Sequence, residues 1–441
     1  MKQDSGDTGP PLWLNYVRAS VVLALFGGFL LGGLLLLLQA IGAHGAGWQA
    51  GAAQAHGHLQ LFGWGGLMVL GIGLHFLPRL ISVPLARPAT AQLALWLLVA
   101  GLLLRATGQP TLSDGLPLPV RYVAAAGLGL GATLELAGTT LIFVLILGLG
   151  RGMQRAVKKR IAPAIVGLIA LAFVSLWLAI FADWLGALDA AIDRNALIAP
   201  RFDNASVLIG LLGFLIPVSL AMSARLFPLY AATQLPDNRL LGLGATMLIA
   251  GLFLRLTGDL THMDLLSGVG QLAQAVGIGA AIRALRVFEP RRTLPRRRVR
   301  ILVDPLQLHL VSAYAWLGLA CILLCFAGLD QLGLALWHPG LDAQRHALGA
   351  GFVTLLIFGV GSEMLPGLAH TTLWRPRLRW ATLVLGNLAA LLRIAPILFS
   401  GPLSARGDAA VMSSAGLLGA VAIAVFVVNI PVFGAARSSR T

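Results

Sequence analysis

The run LLGGLLLLLQAIG, residues 30–42, leaves this chain few ways to fold. It has no period of two, so it does not read as a barrel strand, in which lipid-facing and lumen-facing residues alternate. It belongs to a segment long enough to cross a hydrocarbon core, which takes about 20 helical residues. Segments of this kind fall near 19–41, 56–78, 91–107, 119–150, 161–186, 204–228, 239–257, 262–288, 307–331, 343–366, 379–400 and 409–436. In lipid a helix satisfies its own backbone hydrogen bonds, and an open strand does not. The expected fold class is therefore all-α and polytopic, with twelve transmembrane helices in a single transmembrane domain, 1–441. With 58% hydrophobic residues, 11% charged residues and a mean hydropathy of +0.85, little sequence is left for a soluble domain.

The net charge of +15 raises the possibility of nucleic-acid binding, but the positions of the basic residues argue for a membrane orientation. With the N-terminus placed in the cytoplasm, 24 of the 32 Lys and Arg fall at cytoplasmic ends, including RGMQRAVKKR at 151–160 and RRTLPRRRVR at 291–300, and 8 at the other side. This asymmetry puts both termini inside a bacterial-type inner membrane and gives the basic loops anionic lipid headgroups of the bilayer as partners, with no nucleic acid. The opposite side collects Asp114, Asp189, Asp193, Asp203 and Asp259. The first apolar segment is too long for a signal h-region, so it is expected to be retained. Cys321 and Cys325, one turn apart in the ninth segment, make no disulfide framework and are expected to fill space.

Internal repetition is the strongest organising signal. GLHFLPRL at 73–80, SARLFPLY at 223–230 and GSEMLPGL at 361–368 place Pro78, Pro228 and Pro366 at offsets of 150 and 138. The same offsets carry Gly63 onto Gly213 and Gly351, and Leu104-Arg105 onto Leu254-Arg255 and Leu392-Arg393. The chain then divides into internal repeats 19–150, 161–288 and 307–436. They predict three four-helix arcs in a pseudo-threefold arrangement.

These offsets also carry His58 onto Leu208 and His346, placing two imidazoles at one depth near the outer ends of the second and tenth segments. Such a pair matches the axial ligation of a heme, whose iron takes one nitrogen from each side of the macrocycle. His56 lies about 200° around the helix from His58 and is assigned a different face, where it binds a second metal such as copper or meets a neighbouring helix. Arg105, Arg255 and Arg393 cost at least ~2.5 kcal/mol each on insertion scales. They suit heme propionates; the alternative is snorkelling or pairing with aspartates such as Asp259. His44, His262 and His338 read as solvated, and His75 and His370 lie near the inner ends. On that inner side the offsets superpose His75, Arg225 and Glu363, as a proton or ion site or as interfacial anchors. Glu135, alone in the long fourth segment, either serves a proton path or bonds to neighbouring threonines.

These features resemble subunit I of the heme-copper oxidases and nitric oxide reductases, and more closely the NnrS family. HGHLQLFG at 56–63 looks like that family's second-helix motif, LQLHLVSAYAWLGLA at 306–320 echoes a later one, and RHALGAGFVTLLIFGVGSEMLPGLAH at 345–370 resembles its second histidine helix. The resemblance spans nearly the whole chain. It implies heme binding, copper as a further cofactor, and a role in nitric oxide metabolism or the nitrosative stress response, with nitric oxide as ligand and an unspecified electron donor. A heme-copper oxidase would also need histidines in the sixth and seventh segments and at the position of Gln344, and this chain has none there. A respiratory oxidase or nitric oxide reductase subunit and a metal-free transporter are the competing readings, although repeat-built transporters more often show two related halves than three units.

Reporter fusions test the charge reading. Fusions after residues 155 and 295 should read cytoplasmic, and fusions near residues 110 and 335 should read outside. One reversed site would undo the common depth of His58 and His346.

Overall fold

The computed structural model describes residues 11–43, 47–156, 161–293, 301–335, 337, 338, 340–399 and 404–433. His44, residues 157–160 and residues 294–300, which carry much of the expected loop charge, lie outside the described residues. Twelve helices are long and apolar enough to cross a membrane: α1 (Leu12–Ala40), α2 (Gly47–Ile81), α3 (Pro88–Thr111), α4 (Leu118–Gly152), α5 (Pro163–Asp193), α6 (Pro200–Tyr230), α7 (Asn238–Thr261), α8 (Asp264–Leu285), α9 (Pro305–Gln331), α10 (Leu341–Leu368), α11 (Leu378–Leu398) and α12 (Ala405–Asn429). No strand occurs among the described residues.

Several helices start earlier than hydrophobicity alone suggests, because local chemistry starts them. Pro88, Pro200 and Pro305 occupy first-turn positions, where a missing amide proton costs nothing. Asp237, Asp304 and Ser404 accept hydrogen bonds from free first-turn amides of α7, α9 and α12. The early start of α2 matters most. His58 lies eleven residues past Gly47, about 16 Å into the helix rather than at its tip.

Four helices are interrupted by π-helical turns: Ala24–Leu30 in α1, Leu59–Gly66 in α2, Ile209–Leu215 in α6 and Ala347–Val353 in α10. The last three begin at residues 59, 209 and 347, again offset by 150 and 138, and each starts directly after His58, Leu208 or His346. These three segments contact one another, and α2, α6 and α10 are the most buried of the twelve helices. Around them α3 packs on α4, α7 on α8 and α11 on α12; α4 meets α5, α8 meets α9, and α12 returns to α1. Large apolar side chains such as Trp96, Phe253 and Val384 point outward, as lipid-facing surfaces require.

Without a hydrophobic drive between helices in lipid, close approach of small residues supplies much of the packing. At the α3–α4 crossing a Cβ on Gly101 would sit 2.6 Å from the carbonyl oxygen of Gly131, and at the α7–α8 crossing one on Gly251 would sit 2.7 Å from that of Gly270. Gly242, on the same helix as Gly251, has nothing within 4 Å of such an atom. Gly251→Val should therefore cost about 1–3 kcal/mol in detergent unfolding, the range for overpacking. Gly242→Val should change stability far less, and equal losses would refute the close-crossing account.

Candidate functional site

Polar side chains within the spans include one group that lines a cavity and another, around His58, that is buried away from it. The cavity, of ≈ 790 Å³, lies between α1, α2, α6, α10, α11 and α12. Its wall includes Gln54, His56 and Gln60 from α2, Asp203 from α6, Asp342, Arg345 and His346 from α10, Arg393 from α11, and Arg406 and Met412 from α12. Trp64, whose indole N–H donates to Thr354 Oγ1 at 3.1 Å, closes one part of it.

Two imidazoles in this cavity are oriented in the same way. His56 Nδ1 lies 3.0 Å from the carbonyl oxygen of Gly28, in the π segment of α1. A carbonyl only accepts, so Nδ1 carries the proton and Nε2 keeps its lone pair. The ring crosses α1 where only glycine fits, since a Cβ on Gly32 would lie 2.6 Å from His56 Cε1. His346 Nδ1 lies 2.9 Å from the carbonyl oxygen of Asp342 and 3.0 Å from its Oδ1, so it too donates from Nδ1. Arg393 Nη2 donates to Asp342 Oδ2 at 2.6 Å, completing an Arg–Asp–His chain of the kind that orients metal-binding imidazoles. Gly57 and Gly349 line the same space, and neither would find a neighbour within 4 Å of an added Cβ.

His58 does not belong to this cavity, which corrects the expected His58–His346 pairing. Its Nε2 lies 2.7 Å from Glu135 Oε2 on α4, and its Nδ1 lies 3.5 Å from Asp183 Oδ1 on α5. Arg105 of α3 pairs with Asp183 through both carboxylate oxygens. All four side chains are buried, and the His58 ring lies between two carboxylates, bonded through Nε2 to Glu135. Arg105 is likewise absent from the cavity. Arg255 is as well, reaching Gln274 at 3.3 Å and Asp259 at 3.8 Å. Of the three equivalent arginines only Arg393 lines the cavity, and each has an aspartate: Asp183, Asp259 and Asp342 respectively.

Other expected positions resolve individually. Glu135 bonds to His58 and not to a threonine. His75 packs edge-on against Trp13, Glu363 pairs with Arg379 at 3.2 Å, and Arg225 is exposed, so these three share no contact among the described residues. His338 is exposed and pairs with Asp330 at 2.6 Å. His262 and His370 occupy left-handed positions at helix ends. Both cysteines are free.

Asp342, Asp183 and Arg406 are not among the residues expected from the sequence. Asp342 stands four residues before His346, one helical turn away on the same face, which is a legible signal. Asp183 is an isolated carboxylate inside the fifth apolar segment, which is also a signal. Arg406 reaches the cavity from the start of α12, and no spacing announces it.

None of the curated proteins matches the sequence. Among solved structures, a heme-copper terminal oxidase seen as a dimer by cryo-electron microscopy superposes with a TM-score of 0.57 at 13% identity, covering 97% of this chain and 84% of that one. At that identity the likeness establishes a shared fold. The family model described as NnrS protein matches residues 14–437, and the chain belongs to the NnrS family.

Proposed function

We propose that this protein holds a heme in the α1–α2–α10–α12 cavity, with His56 and His346 as its axial residues, and that it acts in nitric oxide metabolism or the nitrosative stress response. The observation that carries the reading is the matched pair of imidazoles: both donate from Nδ1 to fixed acceptors, both leave Nε2 without a hydrogen bond, and both line one cavity. The volume lies within the range of cofactor pockets, roughly 300–1,000 Å³. Among the described residues no group of three or more His, Cys, Asp or Glu converges as it would on a bare ion. Two imidazoles alone therefore suit a macrocycle that brings its own equatorial donors better than a separate copper ion. The name of the superposed oxidase, which gives heme and copper for that protein, points the same way.

When bound, the heme would supply an electron store, and a diatomic gas would reach its iron only in place of one of the two imidazoles. The chain's own residues do the rest. Asp342 accepts the His346 proton and raises the basicity of the free nitrogen, while Arg393 holds Asp342 in place. Arg393 and Arg406 put guanidinium groups on the wall where propionates need charge partners. Trp64 and the apolar wall of Phe29, Leu211 and Leu215 restrict water. The charge asymmetry of the loops supports a cytoplasmic location for both termini, which sets the cavity toward the extracytoplasmic face. We read the chain as three four-helix units, supported by the recurrence of the π segments at the repeat offsets.

The visible spectrum of the detergent-purified protein tests this reading. His56→Ala and His346→Ala should each abolish a six-coordinate low-spin spectrum or empty the site, and His58→Ala should leave the spectrum in place. Loss in His58→Ala with retention in His56→Ala would overturn the assignment. Arg393→Leu should weaken heme retention or lower the midpoint potential, because a cation beside the cofactor favours its reduced form. An unaltered potential at full occupancy would remove Arg393 from the site.

A further inference from the structure

A second cavity lies on the central axis of the bundle. It has a volume of ≈ 120 Å³ and is bounded by α2, α6 and α10 with a contribution from Phe173 of α5. Its wall is apolar except for two hydroxyls, Ser219 and Ser223, both on α6. Ser223 faces the buried Tyr314 hydroxyl, so the polar atoms stand on one side of the space, at the lower limit of the two to four partners that a buried water needs. A space of this size whose wall is otherwise apolar takes apolar guests such as xenon.

Its position connects it to the site described above. Val353, the last residue of the α10 π segment, lines both this cavity and the cofactor cavity. At the other end a void of ≈ 10 Å³ shares Leu226, Phe227 and Met364 with it and reaches Glu363. Eleven residues of α10 separate Val353 from Met364, so the apolar line runs about 16 Å along the axis. It follows the three most buried helices.

We propose that this axial cavity is a binding site for a small uncharged gas molecule and that it delivers the gas past Val353 to the cofactor cavity. The delivery half rests on the heme reading above; the binding half does not. Gly73 offers a way to fill the space, because a Cβ there meets only Leu77 Cδ1, at 3.9 Å, and a longer side chain extends into the void.

The test uses the whole protein under xenon pressure. Xenon density should appear between Phe173, Met222 and Ile357 in the parent protein and vanish in Gly73→Leu. Ordered water, an acyl chain, or no xenon at this place in the parent protein would overturn the binding site, and that arm needs neither the variant nor a heme. In the second arm, nitric oxide is mixed rapidly with the reduced protein. Its effect on the visible spectrum should develop several-fold more slowly in Gly73→Leu, from an unchanged starting spectrum. At nitric oxide concentrations where the parent rate is still proportional to the gas, an unchanged rate in a variant that has lost xenon would overturn delivery. Absence of any heme spectrum in the parent protein would instead refute the heme reading and leave the xenon result to decide the binding site.

Discussion

The candidate site depends on where two imidazole protons go. His56 donates to the carbonyl of Gly28 and His346 to Asp342, and these bonds fix which ring nitrogen is left with a lone pair. In water such a preference would be weak, because solvent satisfies either nitrogen. Inside a bundle, where an unpaired polar atom costs more, the acceptor sets the tautomer. The surrounding architecture serves these two bonds. The π segment of α1 carries Gly28 and its neighbour Gly32 gives the His56 ring room, while Arg393 from α11 fixes the carboxylate that fixes His346.

How far the site was legible in the sequence turns on the geometry of rotation. The offsets of 150 and 138 align His58 with His346, and the π segments keep that alignment in three dimensions. Residues related by rotation about a threefold axis face equivalent clefts, not the same cleft. On the proposed three-unit reading, His346 faces α11 and α12 of its own unit with α1 and α2 of the next, and His58 faces α4 of its own unit with α5 of the next. On the same reading, the proposed partner of His346 comes from a position on α2 that points the opposite way. His56, about 200° from His58, is that position. The same logic sorts the arginines: Arg105, Arg255 and Arg393 are equivalent and therefore stand in three different places.

The spans themselves were legible, because lipid imposes apolar length directly on the sequence. Their ends were less so, since proline and capping residues extend helices into polar sequence that hydropathy discounts. Partners such as Asp183 and Arg406 come from distant helices, and no local spacing encodes a contact made across the bundle. The buried His58–Glu135–Asp183–Arg105 group links four helices through polar side chains, and loss of Arg105 would leave the Asp183 carboxylate buried without its cation.

The central claim is the identity of the two residues that face each other across the cofactor. A density map of the purified, coloured protein at side-chain resolution tests it most directly. The account predicts a planar macrocycle whose two faces are met by Nε2 of His56 and Nε2 of His346, with His58 still bonded to Glu135. Density that reaches His58, or a lipid filling the cavity beside unliganded His56 and His346, would contradict it.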